Sequence, residues 1–440
     1  MVTIGACQYR SVTTTTLEHA RQAFADRHPQ SRLQHAAARA VLPGGHTRTV
    51  LTHLPFPLTF VAGRGSVLTD ADGREYIDLL GDYTAGLLGH SERRVLDAVA
   101  AALSTLSSVG GVHRHEVGLA QLMCARFGLE RVRFTNSGTE ANLMAITTAL
   151  MYTGRSKIMV FQGGYHGGVL YFASGAAPWN APYDFVVAPY NDLPGTLALI
   201  DHHADELAAV IVEPMLGSGG CIPSAPGFLA DTFAAARAVG AVCIADEVMT
   251  SRHGPAGLAA LLGAKADITT YGKYIGGGFS FGAFGGTAEL LDQFDGERPR
   301  DPGRRAISHA GTFNNNIATM AAGEVVLGEV FTADAAVAHT ARGDEFRGHV
   351  ASVLGRHSVP VSVSGFGSMM SLHALAEPPQ TPANAAGRDD VLQELLFLGL
   401  YQRGIYTAAR GMINLSLAVT DDQLSVALEA LDDCLGELAT

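Results

Sequence analysis

Between about residues 130 and 290, short apolar runs alternate with segments whose apolar residues recur at helical spacing. Residues 132–135, 157–161, 185–188, 209–212, 241–245 and 268–271 read as strands, and 140–151 and 225–239 as helices between them. Such alternation implies a mostly parallel sheet covered on both faces, with function just beyond the carboxyl ends of its strands. Residues 281–286 add a candidate antiparallel strand. Upstream, residues 1–30 read as a loose leader running into a helix. Residues 31–41 read as a second helix, stopped by Leu42-Pro43-Gly44-Gly45. Residues 65–69 and 74–79 form a candidate hairpin around Asp70-Ala71-Asp72-Gly73, and 95–106 a helix. After Asn316 a long helix is predicted through about Phe331, then a smaller α+β region in which 377–387 is a loop. The fold class is therefore α/β. Residues 1–85 are expected to contribute to a small domain, 86–325 to form the large domain, and 326–440 a C-terminal small domain.

Composition narrows the class. The 440 residues are 47% apolar and 16% charged, enough to bury a large core. A net charge of −12 and no basic block argue against a nucleic-acid partner. Five scattered cysteines without CxxC spacing suit free thiols in a reducing compartment. The first residues lack the apolar core of a signal peptide, and no run reaches the ~18 apolar residues of a membrane span. A cytoplasmic enzyme is expected, with no membrane partner.

Chemistry concentrates at strand ends. In Tyr271-Gly272-Lys273-Tyr274-Ile275-Gly276-Gly277-Gly278 a lysine stands between a strand and a glycine run. It could be a solvated cation, a phosphate clamp, or an amine desolvated for Schiff-base chemistry. In Thr135-Asn136-Ser137-Gly138-Thr139-Glu140 a strand ends, a small-residue turn follows and a helix begins. Ser137 and Glu140 have capping-box spacing, and the helix start could equally hold a phosphate. In Gly163-Gly164-Tyr165-His166-Gly167-Gly168 glycines on both sides let an aromatic ring approach a planar ligand. Asp246 follows the apolar run Val242-Cys243-Ile244-Ala245, so its carboxylate should be buried and in need of a cation. That cation is either a basic side chain or a protonated pyridine nitrogen. His113-Arg114-His115-Glu116 and His202-His203 lack a complete metal-ligand set and read as solvated or loop histidines. Gly276–Gly278 makes no dinucleotide fingerprint.

Together, Ser137-Gly138-Thr139-Glu140-Ala141, Tyr165-His166-Gly167, Glu213-Pro214, Asp246-Glu247-Val248 and Lys273 resemble the class III pyridoxal phosphate aminotransferases of fold type I. The resemblance covers roughly residues 40–430. It is nearest to the branch containing β-phenylalanine aminotransferases and glutamate-1-semialdehyde aminomutases. Tyr83-Thr84-Ala85-Gly86, Lys273 to Gly278 and His309 to Asn316 are like the β-phenylalanine type. The chain departs from the aminomutases after Gly311-Thr312 and near Ser218.

The resemblance implies pyridoxal 5′-phosphate as cofactor. It implies that Lys273 holds the cofactor and moves the proton, and that Asp246 meets the pyridine nitrogen. Val248 and Tyr165 would lie against the two ring faces, beside His166, with Glu213 near the ring edge. Ser137, Gly138 and Thr139 would hold the phosphate, and Thr312 would reach the phosphate of a neighbouring subunit, making the enzyme a homodimer with shared sites. Arg48 and Arg410 match carboxylate-binding arginines, and Tyr83 lines the substrate pocket. An arginine fork suits a carboxylate where a lysine would not. The expected reaction moves the amino group of a β-phenylalanine-like amino acid to a keto acid such as 2-oxoglutarate or pyruvate. The alternatives are a 2,1-aminomutase of the glutamate-1-semialdehyde type and a specialised biosynthetic transaminase.

Overall fold

The strands Leu207–Val212 and Val242–Asp246 are buried at every position. That is what apolar side chains on both faces of a central strand require. In the computed structural model, which describes residues 5–298 and 306–439 with side chains from Thr15 onward, they lie inside a seven-stranded sheet. Its spatial order is Arg131–Thr135, Gly282–Gly286, Ile268–Gly272, Val242–Asp246, Leu207–Val212, Lys157–Phe161, Asp184–Ala188. Gly282–Gly286 runs antiparallel to both its neighbours, and the other pairings are parallel. The six expected strands and the added antiparallel one are thus present, with ends shifted by at most two residues.

The helix Gly138–Thr153 starts where the first strand of this sheet ends. Ser137 caps it by accepting the Glu140 N–H, and Gly154, at φ 68°, ends it in the left-handed region. Its buried Ala141, Ala145, Ile146 and Ala149 pack with Val160, Ile211 and Ile244 of the sheet. Small alanines let the helix axis approach closely, which brings its first turn to the strand ends.

Three smaller sheets accompany the large one. Phe60–Arg64, Val67–Asp70 and Glu75–Asp78 form an antiparallel set, and Ile405–Tyr406 joins it parallel to Glu75–Asp78. N-terminal and C-terminal residues therefore share one sheet. Ser362–Phe366, Met369–His373 and Met412–Asn414 form the second, and Met215–Leu216 with Ile222–Pro223 the third. Among the described residues no helix is long and apolar enough to cross a membrane.

Several expectations need correction. Of the expected loose leader, residues 1–4 lie outside the described residues, and from Gly5 the chain is already helical: the helix Gly5–Arg27 buries Leu17 and Phe24 against Leu395, Phe397, Leu398 and Tyr401. Arg21 also grips the Glu394 carboxylate with two hydrogen bonds of 2.6 Å. Its apolar residues are too sparse to show a stripe, and its partner helix, Asp390–Gln402, lies far along the chain. The strand Phe60–Arg64 was not anticipated because prolines precede it and its apolar run is only three residues long before Gly63 and Arg64. His113 and His115 are not loop histidines. His113 caps the unforeseen helix Arg114–Phe127, and His115 pairs with Glu324. The helix expected after Asn316 does run to Val330, α-helical over Ile317–Val325 and π-helical over Val326–Val330. The loop at 377–387 contains one helical turn, Pro382–Ala385, capped by Thr381.

Gly282 shows how tightly the antiparallel strand supports the sheet edge. A Cβ there would run into the Ser137 carbonyl and the Thr135 hydroxyl. Gly282→Ala is expected to destabilise the protein by about 1–3 kcal/mol, as overpacking does. A lowered thermal midpoint checks this; an unchanged midpoint would mean the turn yields freely.

Candidate active site

The carboxyl ends of the sheet strands deliver the chemistry-bearing residues to one place. Asp246 closes the strand Val242–Asp246 and is almost fully buried. Its Oδ2 accepts hydrogen bonds from Asn142 Nδ2 and meets His166 Nδ1, both at 2.8 Å, and its Oδ1 accepts the Val248 N–H at 3.0 Å. Burial would pull the His166 imidazole down, but the hydrogen bond and charge of Asp246, with the charge of Glu213, hold it above the ordinary histidine value. The basic side chain anticipated for a buried Asp246 is thus His166. Asn142 is tied in turn by the Thr270 hydroxyl at 2.6 Å. The next residue, Glu247, is turned away, accepting the N–H groups of Leu258 and Ala259 at 3.2 and 2.6 Å. Strand alternation separates the two adjacent carboxylates.

Lys273 follows the strand Ile268–Gly272 and is itself in the left-handed region at φ 57°. A non-glycine residue there costs about 1–2 kcal/mol, and such strain gathers at functional sites. Burial pulls its amine down to about 8; the charges of Asp82 and Asp246 oppose that fall, and those of Arg48 and Arg410 add to it. Across a cavity of about 660 Å³ from Lys273 lies the turn Ser137-Gly138-Thr139. The first N–H groups of the helix Gly138–Thr153 lie beyond the reach of its own carbonyls, so they form a site for an anion. Asn136 braces this turn, its N–H and side-chain amide reaching the Glu140 carboxylate at 2.9 and 3.2 Å. Val248 sits under the cavity between Gly138 and Gly272, where a Cβ on either glycine would lie 2.8 or 3.0 Å from its methyl groups. Tyr165, His166 and Glu213 complete the lining.

Glu213 is buried, and burial raises its carboxyl group above the usual range. Both its oxygens are committed to the chain: Oε1 accepts the Tyr165 N–H at 2.9 Å and Oε2 the Gly217 N–H at 3.0 Å. It therefore sets the backbone that carries Tyr165.

A second group adjoins the cavity. Gly81, Asp82, Tyr83 and Thr84 have successive φ values of 53°, 43°, 53° and 82°. This left-handed turn buries Tyr83, whose hydroxyl donates to the Val50 carbonyl at 3.1 Å. The guanidinium of Arg48 lies 5.4 Å from the Tyr83 ring centre and that of Arg410 5.1 Å. Arg48 Nη1 donates to Asp82 Oδ1 at 2.6 Å. Arg410 reaches Ser218 Oγ at 3.2 Å and Met412 Sδ at 3.4 Å, and its Nε has no partner.

Of the residues singled out in the sequence, Ser137, Gly138, Thr139, Tyr165, His166, Glu213, Asp246, Val248 and Lys273 line one cavity. Arg48, Tyr83 and Arg410 gather beside it. Thr312 is apart, exposed on the loop before the helix Ile317–Val325 and not among the cavity-lining residues of its own chain. Sequence reasoning missed Asn142, Asp82 and Ser218. Asn142 stood one helical turn beyond Gly138, on the sheet-facing side, which was the available signal. For Asp82 the signal was the glycine-rich stretch 81–86, which could line a pocket, and for Ser218 the departure from the aminomutase pattern; neither pointed to an arginine partner.

The donor set fits pyridoxal phosphate. A helix start suits its phosphate, a buried paired carboxylate its pyridine nitrogen, and a desolvated amine its aldehyde. Gly138 and Gly272, lacking a Cβ, make room for Val248 under the cavity.

The family model of the class-III aminotransferases matches residues 51–435. A β-phenylalanine transaminase of Variovorax paradoxus is 45% identical over 421 residues, 96% of each chain. A glutamate-1-semialdehyde 2,1-aminomutase of Deinococcus radiodurans is 36% identical over 443 residues, 92% of this chain and 97% of its own. The crystal structure of a β-phenylalanine aminotransferase from Variovorax paradoxus matches with a TM-score of 0.93 at 44% identity, covering 97% of this chain and 98% of the other. A transaminase with PLP bound matches with a TM-score of 0.84 at 32% identity, covering 93% and 98%. With the family pattern running through nearly the whole chain, the chain belongs to the class-III aminotransferases and its cofactor is pyridoxal 5′-phosphate.

Proposed function

We propose that this enzyme moves the amino group of a β-amino acid bearing an aryl side chain, of the 3-amino-3-phenylpropanoate kind, to a keto acid such as 2-oxoglutarate or pyruvate. The observation that carries the reading is the pair of arginines, Arg48 and Arg410, against one tyrosine ring beside the lysine cavity. Both substrates are then carboxylates. The 45% identity to a β-phenylalanine transaminase supports the donor class.

Pyridoxal phosphate supplies an electron sink for the pair left behind when a proton leaves the amine-bearing carbon. The chain supplies the rest. Lys273 Nζ would hold the cofactor and, when free, would carry the proton that leaves the amine-bearing carbon. Its amine, brought to about 8, suits a proton carrier near neutral pH. The Asp246 carboxylate, oriented by His166 and Asn142, would hold the ring nitrogen. Ser137, Gly138 and Thr139 would hold the phosphate, and Val248 and Tyr165 would border the ring. Arg48 binds the donor's carboxylate and Arg410 the acceptor's.

The same reading makes the enzyme a cytoplasmic homodimer in which Thr312 of each chain serves its neighbour's phosphate site. The exposed position of Thr312, beside the exposed Phe313, supports it, as do the free thiols Cys124, Cys221, Cys243 and Cys434. A second reading, an aminomutase, draws on the 36% identity to such an enzyme and requires no external acceptor.

β-Phenylalanine added to the holoenzyme without acceptor should abolish the long-wavelength absorbance of the lysine-linked cofactor, and 2-oxoglutarate should restore it. Turnover of glutamate semialdehyde without a keto acid would instead favour the aminomutase. Lys273→Ala should lose both turnover and that absorbance; retained turnover would sink the role of Lys273. Arg48→Lys keeps the charge but loses the fork, so KM for the donor should rise about tenfold with kcat little changed. An unchanged KM would remove Arg48 from substrate binding.

Reconstitution of the apoenzyme should also depend on pH in a definite direction. Only the neutral amine attacks an aldehyde, and the Lys273 amine is lowered to about 8. Stopped-flow capture of the cofactor should quicken by about tenfold per pH unit below that value and level above it. A rise continuing to pH ~10, the range of an ordinary lysine, would contradict the effect of burial.

A further inference from the structure

We propose that Asp82 is the resident counter-ion of Arg48, displaced by each entering carboxylate, and that it sets the charge selectivity of the substrate pocket. The inference rests on the carboxylate-binding role given to Arg48 above. Arg48 and Asp82 are joined by one hydrogen bond of 2.6 Å, and their side chains are 46% and 53% exposed. A monodentate pair open to water to that extent is exchangeable, and it leaves the Nε–Nη2 edge of the guanidinium for a second carboxylate.

The turn that carries Asp82 supports the assignment. Three consecutive non-glycine residues, Asp82, Tyr83 and Thr84, are held at positive φ. Tyr83 is buried and its hydroxyl is bonded to Val50, in the same loop as Arg48, so the turn and that loop are fastened together. Backbone strain so placed is compatible with function, and here it aims a carboxylate at the guanidinium. Arg410 lies on the same tyrosine ring and touches a hydroxyl and a thioether. Among the described residues, the one ion pair made by either arginine is Arg48 to Asp82. Around the Tyr83 ring there thus stand two arginines and one carboxylate, a cluster suited to receive a substrate carboxylate. Asp82 also lines the cavity that contains Lys273, so its charge reaches the reacting region.

The consequence is that Asp82 weakens the binding of every carboxylate and that of dicarboxylates most. Two amine-free ligands test this on the holoenzyme by calorimetry, 3-phenylpropanoate and glutarate. Asp82→Asn, with Asn well tolerated in the left-handed region, should tighten 3-phenylpropanoate about fivefold and glutarate by at least about tenfold. Both gains should shrink in about 0.5 M salt. Asp82→Gly, which fits the backbone without strain, should behave alike and guards against a folding defect in the first variant. In an Arg48→Ala background the gain for 3-phenylpropanoate should vanish. Unchanged or weaker binding in both Asp82 variants, or an undiminished gain without Arg48, overturns the inference and leaves the proposed transamination standing. If Arg48→Ala by itself leaves 3-phenylpropanoate binding unaltered, the carboxylate role of Arg48 falls, and the inference falls with it.

Discussion

A carboxylate buried at the end of a central strand is the interaction on which the rest of the site depends. Asp246 is brought to the cavity floor by a strand whose every residue is buried, and an unpaired charge there would cost several kcal/mol. The chain answers with His166 and Asn142 on one oxygen and a backbone N–H on the other. Those partners come from different elements: Asn142 from the helix Gly138–Thr153, His166 from the loop after Lys157–Phe161. Satisfying one carboxylate therefore fixes the helix start, the tyrosine loop and the strand end relative to one another. Thr270 extends the tie to the strand that leads into Lys273.

The second constraint is backbone shape. Lys273 and the run Asp82-Tyr83-Thr84 all occupy the left-handed region without being glycine. Such conformations persist only where surrounding contacts over-determine them. For Tyr83 those contacts are burial and a hydrogen bond to Val50, and for Lys273 the buried strand before it and the buried Tyr274 and Ile275 after it. Glycines act in the opposite sense, by leaving room. At Gly138 and Gly272 the missing Cβ admits Val248, and at Gly282 it admits the turn at Ser137.

Electrostatics at the mouth differ from those at the floor. The Asp246 pair is buried and its partners cannot be replaced by water. The Arg48–Asp82 pair is half exposed, where such contacts are worth at most about 1 kcal/mol. The cavity thus has a buried pairing at its floor and a half-exposed one beside its mouth.

Much of this was determined by the sequence alone. The apolar runs gave the strands of the large sheet because fully buried parallel strands are continuous in hydrophobicity, and the lysine, aspartate and Ser-Gly-Thr turn stood at their ends because strand ends are where such sheets bind. Local spacing also showed Ser137 as a cap. Tertiary structure decided what depends on residues distant in the chain. Arg48, Tyr83 and Arg410 meet because the Ile405–Tyr406 strand pairs with Glu75–Asp78, an association no local pattern records. The docking of the helix Gly5–Arg27 on Asp390–Gln402 is of the same kind. So are the choice of Asp246 over Glu247 as the cavity carboxylate, the diversion of Glu213 to backbone N–H groups, and the pairing of Asp82 with Arg48. Each turns on side-chain direction and long-range packing, and those are properties of the folded chain.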